Sequence, residues 1–238
     1  MRNCFRRRRP LYRKIVILGD GACGKTSLLN VFTRGYFPEI YAPTVFENYV
    51  HETHIDNKIL ELSLWDTAGQ EEFDRLRALS YSDTFVIMVC FAVDNASSLE
   101  NISARWIKEI MENCEGVQVV LVALKCDLRG GEEKCITYEE GLACASRINA
   151  ARYLECSAKE NRGVTEAFAA ACVYTSNAKL TELGRPSLNS REAERCDHRR
   201  KEIYSDVALP DNVGLQLSFP SFLVGFRSLD YHFRRYLS

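Results

Sequence analysis

The sequence predicts an α/β fold: a mostly parallel six-stranded sheet with one antiparallel strand and helices on both faces. Three observations carry that expectation. From Arg13 onward, β-like apolar runs alternate with longer amphipathic stretches, the signature of βαβ units. Asp56-Asn57 is a turn signal between two such runs, and it makes one antiparallel hairpin in an otherwise parallel sheet. Gly19-Asp20-Gly21-Ala22-Cys23-Gly24-Lys25-Thr26 is a complete G-x-x-x-x-G-K-T loop. It lies between the buried-strand run Ile15-Val16-Ile17-Leu18 and the helix-like Ser27–Phe32, the context a phosphate-binding P-loop requires.

In chain order, the expected strands are Lys14–Gly19, Tyr49–Ile55, Ile59–Asp66, Phe85–Phe91, Val117–Leu124 and Tyr153–Cys156; Leu60, Leu62 and Leu64 alternate along the third. Helices are expected over Lys25–Thr33, part of Glu71–Tyr81, Ser98–Glu112, Tyr138–Ile148 and Val164–Lys179. Thr137 reads as an N-cap, with Glu140 completing a capping box. A doubly wound sheet binds its ligand beyond the carboxyl ends of its strands. The motifs all fall on such ends.

With 238 residues, 46% of them hydrophobic, the chain suits one domain with extensions. The expected division is a basic disordered arm over 1–12, a nucleotide-binding domain over 13–179, and an atypical, disordered extension over 180–238. Net charge is only −1, yet Arg2, Arg6, Arg7, Arg8, Arg9, Arg13 and Lys14 crowd the start. The ten cysteines include several inside predicted elements (Cys90, Cys126, Cys144, Cys156, Cys172), and no secretory leader precedes them; a reduced cytoplasmic setting is expected. No window is apolar for long enough to span a bilayer, so membrane contact is expected to be peripheral.

The P-loop backbone N–H groups turn toward a β-phosphate, Lys25 reaches the β- and γ-phosphates, the Thr26 hydroxyl ligates Mg²⁺, and the phosphate-binding set continues into Ser27. Trp65-Asp66-Thr67-Ala68-Gly69-Gln70 ends the third strand with an acid and a glycine turn. Asp66 can hold Mg²⁺ through a water, Gly69 can offer its N–H to a γ-phosphate, and Gln70 can orient the attacking water. Those roles suit phosphoryl transfer, which is mostly positioning and charge stabilisation.

These residues resemble the Ras superfamily of small GTPases. Gly19–Thr26, Pro43-Thr44-Val45-Phe46-Glu47-Asn48-Tyr49 and Asp66–Leu76 look specifically like its Rho branch, most similar to fungal Rho proteins of polarised growth. The likeness covers about Arg13 to Ala178 and implies the small G domain of a P-loop NTPase, a slow GTPase stimulated by an activating protein. It assigns Thr44 to a first switch that meets Mg²⁺ and the γ-phosphate, Phe37 to the guanine ring, and Tyr41 to a cover over the phosphates. Lys125 and Asp127, in Ala123-Leu124-Lys125-Cys126-Asp127, select the base: a carboxylate accepts both N1–H and N2–H of guanine, and adenine lacks that donor pair. Cys156-Ser157-Ala158-Lys159 resembles the last guanine loop, with the Ala158 N–H facing the base and Lys159 bracing it.

The implied partners are exchange factors, GTPase-activating proteins and effectors, the last through Val45–Tyr49 and the Gly69–Leu79 switch. A monomer that binds no nucleic acid is expected. The resemblance further implies signalling to actin, polarity and exocytosis. Three departures accompany it. Leu124 stands where the family has Asn or Thr, which predicts somewhat faster nucleotide release. Leu128–Tyr138 is too short for the inserted helix of the Rho branch. The sequence ends Arg235-Tyr236-Leu237-Ser238 with Cys196 its last cysteine, so C-terminal prenylation is not expected, and Arg2 excludes N-myristoylation. Cys4 beside Arg6–Arg9 is either a candidate S-acylated, polybasic anchor for the inner face of the plasma membrane or a solvated basic arm or nuclear address. An alternative function is a nucleotide-bound decoy, or an isoform without a prenyl anchor whose tail arose by altered splicing. A P-loop kinase or ATPase is disfavoured by Lys125 and Asp127.

Overall fold

The computed structural model describes residues 10–40, 43–55, 58–131 and 134–177. Six strands form one sheet: β1 (Leu11–Gly19), β2 (Phe46–Ile55), β3 (Lys58–Thr67), β4 (Val86–Ala92), β5 (Gln118–Leu124) and β6 (Arg152–Glu155), in the spatial order β2-β3-β1-β4-β5-β6. Only β2 runs antiparallel to its neighbour, with Ile55 opposite Lys58. The predicted architecture is therefore the observed one.

Alternation along β1 sends Ile15 and Ile17 to one face and Val16 and Leu18 to the other, so two cores form. The first packs under α1 (Lys25–Arg34) and α6 (Val164–Asn177), with Leu28, Leu29, Phe168 and Ala171 buried. The second packs under the helical run α3 (Ala96–Asn101), a π turn (Ile102–Trp106) and α4 (Ile107–Asn113), and under α5 (Tyr138–Arg147). Every residue of β4 is buried, as a central parallel strand covered on both faces must be. Thr137 caps α5 as expected: its Oγ1 accepts the Glu140 N–H at 3.2 Å, and Glu140 Oε2 accepts the Thr137 N–H at 2.8 Å.

Several boundaries differ from the sequence reading. Leu11 and Tyr12, assigned to the basic arm, belong to β1, because they pair with Leu60 and Glu61 of β3. β2 begins at Phe46, opposite Thr67, so most of the expected effector segment is already strand. β6 ends at Glu155, leaving Cys156 to the loop. The second switch is a 3₁₀ turn (Glu71–Phe73) followed by a short α2 (Asp74–Ala78). The predicted helix Ser98–Glu112 is interrupted by the π turn. The inserted Rho helix is absent from the described part of 129–137. Cys4, Arg6–Arg9, Tyr41, Asp56-Asn57, the end of the last helix at Ala178-Lys179 and the extension 180–238 lie outside the described residues. The eight described cysteines are free thiols. Among the described residues no helix is long and apolar enough to cross a membrane.

Candidate functional site

The carboxyl ends of β1, β3, β5 and β6 open onto two adjoining cavities of about 460 and 180 Å³. Both are bordered by Gly24, Ser27, Phe37 and Lys125. The larger receives Gly21, Ala22, Lys25, Thr26, Thr44, Gly69 and Gln70, and the smaller receives Leu124, Asp127, Leu128, Ala158 and Lys159. The triphosphate residues of the sequence reading thus gather at one end of a cleft and the base residues at the other.

At the phosphate end, Gly24 caps α1 at φ +108°, a left-handed conformation that glycine adopts without strain. The first turn of α1, Lys25, Thr26 and Ser27, lines the cavity, where the positive end of the helix dipole favours an anion. The Lys25 ammonium is buried and donates to the Gly19 and Asp20 carbonyls, both at 2.8 Å. Thr26 Oγ1 donates to Asp66 Oδ2 at 2.6 Å and lies 2.5 Å from Thr44 Oγ1. Asp66 is buried, and its Oδ1 has no hydrogen-bond partner. Burial pushes its carboxyl up to about 6, against the opposing influence of Thr26 and Lys25. A buried carboxylate oxygen left unpartnered is costly unless a cation supplies the missing charge. One carboxylate and two hydroxyls form a hard-oxygen set suited to a small divalent cation that keeps several waters.

Gly69 approaches the phosphate loop main chain to main chain: a β-carbon added there would stand 2.3 Å from Gly21 N and 2.5 Å from Gly19 O. The Gln70 side chain lies over Gly21, with Cδ and Nε2 each 3.5 Å from where a β-carbon of residue 21 would be. Any larger residue at 21 would therefore meet Gln70.

At the base end, Lys125 takes a left-handed φ of +62°, and its ammonium pairs with Asp94 at 3.0 Å. Phe37 is 42% exposed and lines both cavities. Leu124 is buried and supplies an apolar wall 3.7 Å from where a Gly24 β-carbon would be. The two base loops are tied together by the Cys126 N–H to the Cys156 carbonyl at 3.2 Å, and by Arg129, whose guanidinium grips the Glu155 carboxylate in a two-point pair.

Five of the expected site residues stand behind the cavity walls. Gly19 and Cys23 are packed against Cys90. The Asp20 carboxylate accepts from Asn101 Nδ2 and Trp106 Nε1, each at 2.7 Å, and so anchors the loop. Asp66 faces Thr26 from below. Ser157 is buried and braces its own turn, exchanging main-chain hydrogen bonds with Arg162 at 2.9 Å. The sequence reading passed over Asp94, Asn101, Arg105, Trp106 and Glu155, whose contacts with the site span 26 to 86 residues and leave no local signal.

A strand-capping glycine loop with a buried lysine, a hydroxyl–carboxylate cluster beside it and a second glycine turn across from it define a P-loop nucleotide-binding domain. A model of the Ras family matches residues 14–176. The chain is 66% identical over 175 residues to GTP-binding protein rho3 of Schizosaccharomyces pombe, which covers 71% of this chain and 85% of that protein. It is 56% identical over 208 residues to GTP-binding protein RHO3 of Saccharomyces cerevisiae (74% and 90%), and 49% identical over 196 residues to GTP-binding protein rho1 of S. pombe (78% and 96%). The chain belongs to the Ras family and, within it, to the Rho-type small GTPases.

Proposed function

We propose that this GTPase works as a two-state switch in which the terminal phosphate of GTP joins the segment around Thr44 to the segment around Gly69 and Gln70. The observation that carries this reading is the meeting of Thr26, Thr44 and Asp66 oxygens within 2.6 Å at the phosphate end, with Asp127 and Ala158 lining the far end of the same cleft. Thr26 and Thr44, with Asp66 through a water, would hold Mg²⁺ there. The chemistry such a cation would supply is neutralisation of phosphate charge. Lys25 exchanges its two carbonyl partners for β- and γ-phosphate oxygens. Gly69 offers its N–H to the γ-phosphate, and Gln70, already above Gly21, orients the water that attacks. Asp127 accepts the guanine N1–H and N2–H, the Ala158 N–H meets the base oxygen, Phe37 stacks on the ring, and Tyr41 covers the phosphates.

With GTP bound, Val45–Tyr49 at the sheet edge and the Gly69–Leu79 segment present one ordered surface to effectors; hydrolysis frees Thr44 and dissolves it. Exchange factors and activating proteins set the balance between the two states. Signalling to actin, polarity and exocytosis follows from the likeness to fungal Rho proteins. Cys4 and Arg6–Arg9 provide a peripheral anchor, which predicts loss of membrane fractionation in a Cys4→Ser, Arg6–Arg9→Ala variant.

The test is amide hydrogen exchange on protein loaded with GDP and then with a non-hydrolysable GTP analogue. Residues 43–49 and 69–79 are expected to be more protected with the analogue. Identical protection in both states would overturn the switch and favour a decoy that binds partners regardless of nucleotide.

A further inference from the structure

The π turn between α3 and α4 sits directly behind the phosphate end of the cleft, and its residues contact both of the segments that meet there. A π turn closes i→i+5 hydrogen bonds, so it brings residues five apart onto one face, where an α-helix would send them apart. Asn101 and Trp106 are such a pair, and both donate to the Asp20 carboxylate at 2.7 Å, fixing the phosphate loop from behind. Trp106 is fully buried, and the Arg105 guanidinium lies over its ring at 4.5 Å. From that platform Arg105 reaches across to the second switch. Its Nη1 donates to the Gly69 carbonyl at 3.0 Å and to Glu71 Oε1 at 2.6 Å, and its Nη2 donates to Asp74 Oδ1 at 3.0 Å.

Arg77 works beside it and is almost wholly buried. It donates to the Ala68 carbonyl at 2.8 Å and is held by Glu109 and Asp74. In a trans peptide the C=O and the following N–H point in opposite directions. Drawing the carbonyls of Ala68 and Gly69 toward these two guanidiniums therefore turns the N–H groups of Gly69 and Gln70 away from the helices. Gly69 and Gln70 line the nucleotide cavity, whereas the two arginines that hold this turn do not.

The geometry points to Arg105 as a positioning residue for GTP hydrolysis: by holding the Gly69 carbonyl from the π turn, it fixes the Gly69–Gln70 peptide and the direction in which the Gln70 side chain leaves the main chain. Arg105 lines neither of the two cavities; it acts through Gly69. The inference rests on the roles proposed above for Gly69 and Gln70. Arg105 also suits mutation better than Arg77, because its side chain is 21% exposed, against 1% for Arg77. Its loss leaves no buried charge behind.

The experiment compares single-turnover hydrolysis of preloaded GTP, GDP dissociation and thermal melting in the wild-type chain and in Arg105→Ala, Arg105→Lys and Gln70→Leu. Arg105→Ala is expected to hydrolyse roughly tenfold more slowly, a modest misplacement of the reacting groups, with dissociation and melting of the GDP form nearly unchanged. Arg105→Lys, which keeps a donor within reach of the Gly69 carbonyl, recovers most of the rate. Arg105→Ala at the wild-type rate beside a slow Gln70→Leu overturns this inference alone. An Arg105→Ala whose hydrolysis, dissociation and melting all worsen together also overturns it, since Arg105 is then merely structural. A Gln70→Leu that hydrolyses normally overturns the proposed roles themselves.

Discussion

Replacing Gly69 with alanine tests the close approach on which the phosphate end depends. The added β-carbon would stand 2.3 Å from Gly21 N, 2.4 Å from the Asp20 carbonyl carbon and 2.5 Å from Gly19 O, all main-chain atoms. Ordinary contact begins near 3.4 Å, so one of the two segments must retreat by about 1 Å. The phosphate loop is the firmer of the two: Asp20 is tied to Asn101 and Trp106, and Gly19 is the end of a strand paired to Cys90. The second switch must therefore move, and it carries Gln70 with it. A displacement of about 1 Å at a reacting centre costs up to roughly 100-fold in rate. The base end lies apart from the clash, so GDP dissociation should change by no more than a few-fold. Single-turnover hydrolysis measured beside dissociation of a fluorescent GDP analogue separates the two effects. A Gly69→Ala variant that hydrolyses GTP at the wild-type rate, or one that loses GDP as fast as it loses activity, would refute the reasoning.

Leu124→Asn should slow GDP release by roughly twofold to tenfold, the worth of one neutral hydrogen bond to the phosphate loop (about 0.5–1.5 kcal/mol), while lowering the melting temperature, because Leu124 is 3% exposed and part of the core. Unchanged dissociation would show that the leucine is no handicap. Chelating Mg²⁺ should speed nucleotide release roughly 10- to 100-fold in the wild type, as loss of charge-assisted contacts of about 1.5–3 kcal/mol implies, and much less in Asp66→Asn. Equal acceleration in both would remove Asp66 from the metal site. Burial pushes the Glu155 carboxyl up, but hydrogen bonds from Arg129 and Tyr153 outweigh it and hold the group below the usual glutamate range. A depressed carboxylate stabilises the fold above its unfolded pKa and loses that contribution as pH falls. The melting-temperature advantage of wild type over Glu155→Gln should accordingly be full at pH 7 and shrink below about pH 4.3, the ordinary glutamate value.

What the sequence made legible was chemistry confined to short strings. The P-loop, the Asp66–Gln70 turn and the Lys125–Asp127 segment each carry their function within a few neighbours, and all three line or support the cleft. The strand-and-helix alternation was legible for the same reason: burial on both faces of β4 forces an unbroken apolar run. What stayed hidden was set by partners distant in sequence. The start of β2 depends on pairing of Phe46 with Thr67, and the first residues of β1 on Leu60 and Glu61. Asp20 read as a phosphate-loop residue, yet its side chain is spoken for by Asn101 and Trp106. Even with both residues in view, an α-helical spacing places them on different faces; only the π turn unites them, and such a bulge has no hydrophobic period of its own.

The two ends of the cleft are held by different kinds of contact, and this is why binding and hydrolysis should separate under mutation. At the base end the loops after β5 and β6 are joined by a main-chain hydrogen bond and by Arg129, whose Nε also donates to the Ile136 carbonyl at 2.7 Å. Those contacts all lie within the protein, so the loops lining the smaller cavity should keep their shape whichever nucleotide is bound. At the phosphate end the described residues 43–45 of the first switch meet the body through the Thr44 hydroxyl on Thr26 and the Val45 carbonyl, which accepts the Ala68 N–H at 3.3 Å, and the second switch is held by the guanidiniums of Arg77 and Arg105. Two neutral hydrogen bonds contribute about 1–3 kcal/mol together, less than the roughly 1–2 kcal/mol per residue that ordering the loop costs. On the roles proposed above, the first switch should need cation and γ-phosphate to stay in place, whereas the second should keep a helix-borne support after the phosphate has left. Loss of the phosphate should accordingly loosen residues 43–45 before it loosens Gly69, and the order of release is set by which helix each segment leans on.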